Sequence, residues 1–270
     1  MIQEQRVLHG TTDLSLLVND YRTGEAPFAY QTGQYLYIAS LFPFNNLWLE
    51  LGTVNVVPAT VSVSMWWGNS WVPAVDVLDE TAGLTKSGRL QWNTDINKGW
   101  GRATKASDVT GITGAVIYNM YWIRLSWNAT LTPGTTLKYI GQRFSNDADL
   151  AFYYPDICLP QVLEGFKEGK QSWDDQHYLA AAKIISDLRK RNIIESRSQL
   201  LDYGLFTEAA CHKVCEIVYK SFGTSYQEQL KQVRSDYLEA INMKFYNVDS
   251  CGTGREDPAV RRVSTGYLSR

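Results

Sequence analysis

Cys211 and Cys215 stand four residues apart, a spacing that could do chemistry. On a helix they would share one face, and paired thiolates are familiar zinc ligands. A closed zinc site needs four ligands, usually as two close pairs. Here His212 lies beside the one pair, His177 lies upstream, and Cys158 and Cys251 are remote. A lone pair reads as small buried core residues, so no metal is expected. Cys251 and Arg255 are also four apart and flank Gly252-Thr253-Gly254. That loop is too short to wrap phosphate oxygens, and it has neither the spacing nor the lysine of a phosphate-binding loop. His9, His177 and His212 are scattered, and none sits in a nucleophile motif. A glycosidase needs two carboxylates facing each other across a cleft. Asp76, Asp79 and Glu80 crowd instead into one strand end or turn, where acids are solvated. No catalytic residue and no cofactor is expected.

Tryptophan is the other conspicuous resource. Eight of the nine tryptophans fall between Trp48 and Trp127. Trp66, Trp67, Trp71, Trp92, Trp100 and Trp122 could form a flat platform for sugar rings, or could fill a core or a subunit interface. Trp66 and Trp67 are adjacent, so a strand would point them to opposite faces. At least one must leave the core between two sheets, toward solvent, a ligand or a partner. Trp66, Trp67 and Trp71 are therefore the candidate exposed aromatic patch.

The elements that would position these residues divide the chain in two. From Tyr35 to Ser145, 111 residues hold 8 Lys+Arg and 6 Asp+Glu, whereas the 98 residues from Trp173 to Arg270 hold 14 and 13. Charge density about doubles as tryptophan disappears, which marks a domain boundary. In the first half, Val61, Val63 and Met65 alternate with Ser62, Ser64 and Trp66. Tyr121, Ile123, Leu125 and Trp127 alternate with Trp122, Arg124 and Ser126. Period two predicts strands, and further strands are expected at 35–41, 47–57, 70–77, 88–93 and 135–141. Pro73 places its strand at an edge or a bulge. About seven short strands separated by turn residues predict an antiparallel, jelly-roll-like β-sandwich.

In the second half, three amphipathic helices are expected. The first runs from a Ser172 cap to about Asn192, with Asp174 and Asp175 at its start and Arg189, Lys190 and Arg191 at its end. The second starts at Thr207 and stops at Gly223. The third opens with a Ser225–Glu228 capping box and carries Tyr226, Leu230, Val233, Tyr237, Ile241 and Phe245 on one stripe. The fold class is thus α+β in two domains. The expected boundaries are an N-terminal arm at 1–34, the sandwich at 35–145, a linker at 146–172, a helical bundle at 173–248 and an extended tail at 249–270. A net charge of −2 argues against a general nucleic-acid binder. No apolar run long enough to span a membrane exists, and the N-terminus lacks the pattern of a signal peptide, so Asn128-Ala129-Thr130 is a chance match to a glycosylation acceptor.

The segment from Trp173 to Asp249 resembles the helical head–tail adaptor (connector) proteins of tailed bacteriophages. The resemblance rests on an alanine-rich opening helix, DDQHYLAAAKIISDLRKRN, then FTEAACHKVCEIVYKSFG and the long YQEQLKQVRSDYLEAINMKFYN, and then an abrupt turn into VDSCGTGRED. It covers under a third of the chain, and the N-terminal sandwich departs from the minimal family plan. What the resemblance implies is a non-enzymatic virion protein that forms a homo-oligomeric ring, a dodecamer, beneath the portal protein. A downstream neck or tail protein would bind below, and DNA would pass through the lumen without base-specific contact. The assembly residues expected on this reading are Tyr237, Ile241, Phe245, Arg255, Arg261 and Arg262. The alternative is a carbohydrate-binding β-sandwich module of a virion decoration or host-recognition protein, built on the aromatic patch.

Overall fold

A computed structural model describes residues 4–93, 100–103, 119–242 and 248–249. The chain is α+β, with antiparallel sheets in its N-terminal part and helices in its C-terminal part. The described residues form two compact units, 4–142 with Asp249, and 143–248.

The first unit contains β1 (Gln5–His9), β2 (Thr12–Asp13), α1 (Ser15–Val18), β3 (Ala26–Pro27), β4 (Leu36–Ser40), β5 (Asn46–Leu51) and β6 (Val61–Trp66). It continues through β7 (Trp71–Pro73), β8 (Val75–Asp79), β9 (Gly88–Asn93), β10 (Arg102–Ala103), β11 (Met120–Trp127) and β12 (Thr136–Gly141). The larger sheet has the order β2-β1-β4-β11-β6-β7, with β10 also on β11, and the smaller has the order β3-β12-β5-β9-β8. Strand alternation decides what each face carries. Across the larger sheet, Val7, Ile38, Ile123, Met65 and Val72 align in one row, all apolar. Leu51 with Leu137, Leu49 with Ile140, and Leu47 with Leu90 do the same on the smaller sheet. Side chains from both sheets share one buried cluster, so the two sheets pack in a sandwich-like manner. Gln5 Nε2 crosses between them to the Ile140 carbonyl at 3.1 Å. β7 is an edge strand, and it carries Pro73 where no ladder donor is required.

Residues 4–34, expected as an arm, are part of this core instead. β1 pairs with β4 along its whole length. Val7, Leu14, Val18, Ala26, Phe28 and Tyr30 all join the inter-sheet cluster. Tyr30 fixes the register from a distance: its hydroxyl donates to the Trp127 carbonyl at 2.9 Å and accepts the Trp127 N–H at 2.8 Å. The expected strand at 47–57 ends at Leu51, and the strand at 70–77 divides into β7 and β8.

The second unit contains α2 (Asp147–Tyr153), a 3-10 helix at Pro155–Cys158, α3 (Pro160–Phe166), α4 (Asp174–Lys190), α5 (Thr207–Ser221) and α6 (Gln227–Ile241). Residues 146–172, expected as a linker, therefore carry helices. Pro155 and Pro160 sit in the first turns of their helices, where a missing N–H costs nothing. Asn146 caps α2 in a capping box with Asp149. α5 packs against both α4 and α6. α4 closes with Asn192 at φ 55°, its N–H on the Arg189 carbonyl and the Ile193 N–H on the Leu188 carbonyl. That is the double hydrogen bond of a left-handed helix stop. Gly223, at φ 74°, follows the end of α5 as expected. The caps at the helix starts differ from expectation. Ser172 Oγ donates to Asp174, Thr207 Oγ1 donates to the Phe144 carbonyl, and the Ser225 box is replaced by a 3-10 turn at Gly223–Tyr226.

Tyr30→Phe is expected to leave both Trp127 backbone groups without their buried partner and to cost about 1–3 kcal/mol. Chemical denaturation of the purified variant checks this, and an unchanged midpoint would show the hydroxyl clamp to be dispensable.

Candidate functional site

The outward face of the larger sheet gathers the residues able to touch a ligand. Its register is set by the inward rows, because successive side chains of a strand point to opposite faces. One outward row runs Leu8, Tyr37, Arg124, Ser64 and Pro73. Beside it lie Arg6, Ala39 and Trp122 on three strands, and Trp66 opposite Trp71 on β6 and β7. Ser126 faces Ser62 on the other side. Leu8, Tyr37, Ala39, Trp66, Ala103, Met120 and Trp122 form a second buried cluster on this face, with Tyr35, Leu41 and Trp71 partly buried against it.

Arg124 is the centre of the exposed part. Its guanidinium lies 4.2 Å from the centroid of the Tyr35 ring and 4.9 Å from that of Trp71. Tyr37 adjoins Tyr35 at 5.9 Å and Trp71 at 5.7 Å, and Trp71 meets Trp66 edge-on at 5.3 Å. Each cation–π contact contributes about 0.5–2 kcal/mol. The hydrogen-bonding capacity of the guanidinium goes unused: Nε is buried with no partner, and no carboxylate pairs with Arg124 among the described residues. Among the described residues Trp66 Nε1 and Trp122 Nε1, on the same face, are likewise buried without acceptors. Burial holds the Tyr37 hydroxyl above the ordinary tyrosine range, opposed by the Arg124 charge. The hydroxyl side chains of Ser62, Ser64 and Ser126 lie on the same face.

The expected aromatic patch is thus only partly brought together. Trp66 is buried at 1% exposure, below Trp71. Trp71 is half-buried and lines the open surface. Trp67, just past the end of β6, is exposed. Trp92 lies in the inter-sheet core.

The expected assembly residues divide differently. Tyr237 and Ile241 lie inside their own unit, in one cluster with Ile184, Leu188 and Phe206. The Tyr237 hydroxyl donates to Asp187 Oδ2 at 2.7 Å, and Lys213 Nζ covers the ring. These two residues are core contacts of α6 rather than surface contacts with another subunit. Phe245, Arg255, Arg261 and Arg262 lie outside the described residues. The large apolar side chains that this unit leaves outside are others, among them Phe152 at 82% exposure, Leu238 at 51%, Leu159 at 42% and Leu179 at 41%. Phe152 stands edge-on to Tyr153 at 5.2 Å, while Tyr154 turns inward to His212 Nδ1 at 2.6 Å.

Two buried polar groups in this unit involve the histidines and cysteines. Ser145 Oγ lies 2.7 Å from His177 Nδ1, and His177 Nε2 lies 3.1 Å from Asp147 Oδ1. A neutral ring with Nε2–H on the carboxylate leaves Nδ1 to accept from the serine. The partner order matches a nucleophile–base–acid relay, yet Ser145 is 4% exposed and His177 1%. Asp147 also accepts the Trp173 N–H. These bonds tie the start of α2 to the start of α4. Cys211 and Cys215 are fully buried beside Leu150, Val214 and Val218. Burial pushes the Cys211 thiol up to about 12 and the Cys215 thiol higher still, so both stay protonated. Among the described residues no group of three or more His, Cys, Asp or Glu could hold a metal ion.

Burial lowers both His177 and His212 below their ordinary value of 6.5. Asp147 and Asp174 oppose the shift at His177 while Arg143 adds to it, and Glu208 and Asp236 oppose it at His212. Each ring is neutral in the folded state and gains a proton more readily when unfolded. The associated stability is present above pH 6.5 and is lost as pH falls through 6.5 toward the depressed folded values. The thermal midpoint of the helical unit is therefore expected to fall between pH 7.5 and 5.5, and His177→Gln to flatten that dependence. An equal slope in the variant, measured by circular dichroism, would assign the acid sensitivity elsewhere.

No family model matches the chain, and no curated protein matches it. Among solved structures, a chain described as "CpGH89CBM32-6 produced by Clostridium perfringens" is similar at 10% sequence identity, covering 52% of this chain and 94% of that chain. Its TM-score of 0.31 is too low to establish a shared fold. No helix among the described residues is long and apolar enough to cross a membrane.

Proposed function

We propose that the chain is a structural adaptor of the phage head–tail connector class, a ring-forming virion protein seated between the portal and a downstream neck or tail protein. On this reading the helical unit is the ring-forming bundle, and a jelly-roll-like sandwich is an added outer domain. The observation that carries it is the succession α4, α5, α6, in which α5 packs on both neighbours while Phe152, Leu179 and Leu238 stay on the outside. Helices of 17, 15 and 15 residues close their own core with Ile184, Leu188, Val214, Val218, Val233 and Ile241. Large apolar side chains left over in such a small unit are what lateral packing between subunits uses. The net charge of −2 fits a conduit through which DNA slides without being gripped.

The outward face of the larger sheet favours a second reading, a carbohydrate-binding module of a virion decoration or host-recognition protein. The specific observation is the half-buried Trp71 and Tyr35 flanking Arg124. Rings of this kind stack on the apolar faces of sugars.

Native mass measurement and negative-stain imaging, alone and with the portal ring, test the first reading. A ring of about twelve subunits, the size implied by the family resemblance, is expected. A monomer under every condition, with no portal binding, would overturn it. Phe152→Asp combined with Leu238→Glu changes only exposed positions, so monomer stability should move by no more than about 0.5 kcal/mol per site. Ring formation should be lost, and assembly at the wild-type level would remove these side chains from the interface.

A further inference from the structure

We infer that the outward face of the larger sheet binds an acidic saccharide, with Arg124 as the receptor for its carboxylate. The inference rests on the second reading above, that this face takes sugar, and adds the charge class of the ligand.

The argument begins with what Arg124 lacks. A guanidinium carries five N–H donors in a planar fork matched to a carboxylate. Arg124 sits mid-strand on β11, between Tyr37 on β4 and Ser64 on β6. It is half-buried, and among the described residues its Nε has no hydrogen-bond partner and no acidic residue pairs with it. Arg6 pairs with Asp13 and Arg22 with Asp20, while Arg102, exposed on β10, lies over the Tyr121 ring. Arg89, on the smaller sheet, reaches Asn46.

The surroundings define what an incoming anion must also be. Tyr35 and Trp71 hold the guanidinium between their rings, so its orientation is set before any ligand arrives. Pre-organisation of this kind lowers the ordering cost of binding. Trp71 and Tyr35 remain half-buried, leaving ring surface open beside the charge. An inorganic anion would use the fork and ignore the rings, and a neutral sugar would use the rings and ignore the fork. A sugar ring bearing a carboxylate uses both, and the hydroxyls of Ser62, Ser64 and Ser126 stand on the same face to meet its hydroxyls. The buried indole donors of Trp66 and Trp122 add positive edge to the floor without supplying any acceptor.

Titration of the full chain with matched pairs separates the two levels of the claim. The probes are tetragalacturonate against its methyl ester, and 3′-sialyllactose against lactose, followed by tryptophan fluorescence and calorimetry. The expected result is that at least one acidic probe binds about tenfold or more tightly than its neutral partner, with the difference shrinking as salt rises. Arg124→Gln should erase that difference, and Arg124→Lys, which keeps the charge but not the fork, should restore only part of it. Trp71→Ala should weaken the acidic and the neutral sugar alike, with circular dichroism confirming that it folds. Equal binding within both pairs, or an undiminished preference in Arg124→Gln, overturns the acidic assignment while leaving the saccharide reading in place. No binding of any of the four probes overturns both.

Discussion

Strand β11 is the constraint on which both faces of the sheet-rich unit depend. It lies inside the larger sheet, hydrogen-bonded to β4 on one side and β6 on the other. Its alternation sends Ile123, Leu125 and Trp127 into the inter-sheet core and Trp122 and Arg124 outward. A slip of one residue would exchange the two sets, burying a guanidinium between the sheets and exposing three apolar side chains. Tyr30 guards against that slip, because its hydroxyl takes both backbone groups of Trp127 and does so from a segment nearly a hundred residues earlier in the chain. The stack of Tyr35, Arg124 and Trp71 on the outer face is thus fixed by hydrogen bonds made at the end of the same strand.

The legible parts of the fold were those with a strong period. The alternation at 61–66 and 121–127 corresponds to β6 and β11 almost residue for residue, and the strand expected at 88–93 is β9. Leu230, Val233, Tyr237 and Ile241 are the buried stripe of α6. The N-terminal region was illegible because its strands are short: β2 and β3 hold two residues each, too few to display a period. Its β1 has neighbours on both faces and so buries Val7 and Leu8 in succession. Residues 146–172 misled for another reason. Proline reads as a breaker, yet in the first turn of a helix it is a starter, and Pro155 and Pro160 both occupy that position.

The site was legible only at the level of residue type. Tryptophan density pointed to the half of the chain that carries the candidate face, and the adjacency of Trp66 and Trp67 implied that one would leave the core. Both do: Trp66 joins the outer-face cluster and Trp67 lies at the exposed strand end. Arg124 carried no distinguishing signal, since a charged residue in the alternating strand reads as a solvated position. Its significance comes from partners on β4, β6 and β7, and cross-strand register is not written in any one segment. Tyr237 and Ile241 show the complementary failure. The apolar stripe was real, but a stripe does not say whether the surface it meets belongs to the same subunit, and here α4 and α5 supply it. His177 was missed because a histidine at full burial needs partners for both nitrogens, and those partners, Ser145 and Asp147, lie some thirty residues upstream.

Stability does not account for the choice of residue at position 124. An apolar side chain there would retain contact with Tyr35 and Trp71, remove the desolvation cost of a charge, and eliminate one buried donor that has no acceptor. An unsatisfied buried donor typically costs about 1–3 kcal/mol, which is comparable to what two cation–π contacts return. The exchange is near neutral for folding, so the guanidinium confers no clear advantage on the isolated chain. The same holds for Phe152, which at 82% exposure contributes almost nothing to its own core. Residues that the folded monomer does not use point to surfaces completed by something else. On the adaptor proposal an apolar partner surface would meet that need for Phe152, and on the saccharide proposal an oxygen-bearing anion beside a ring face would meet it for Arg124.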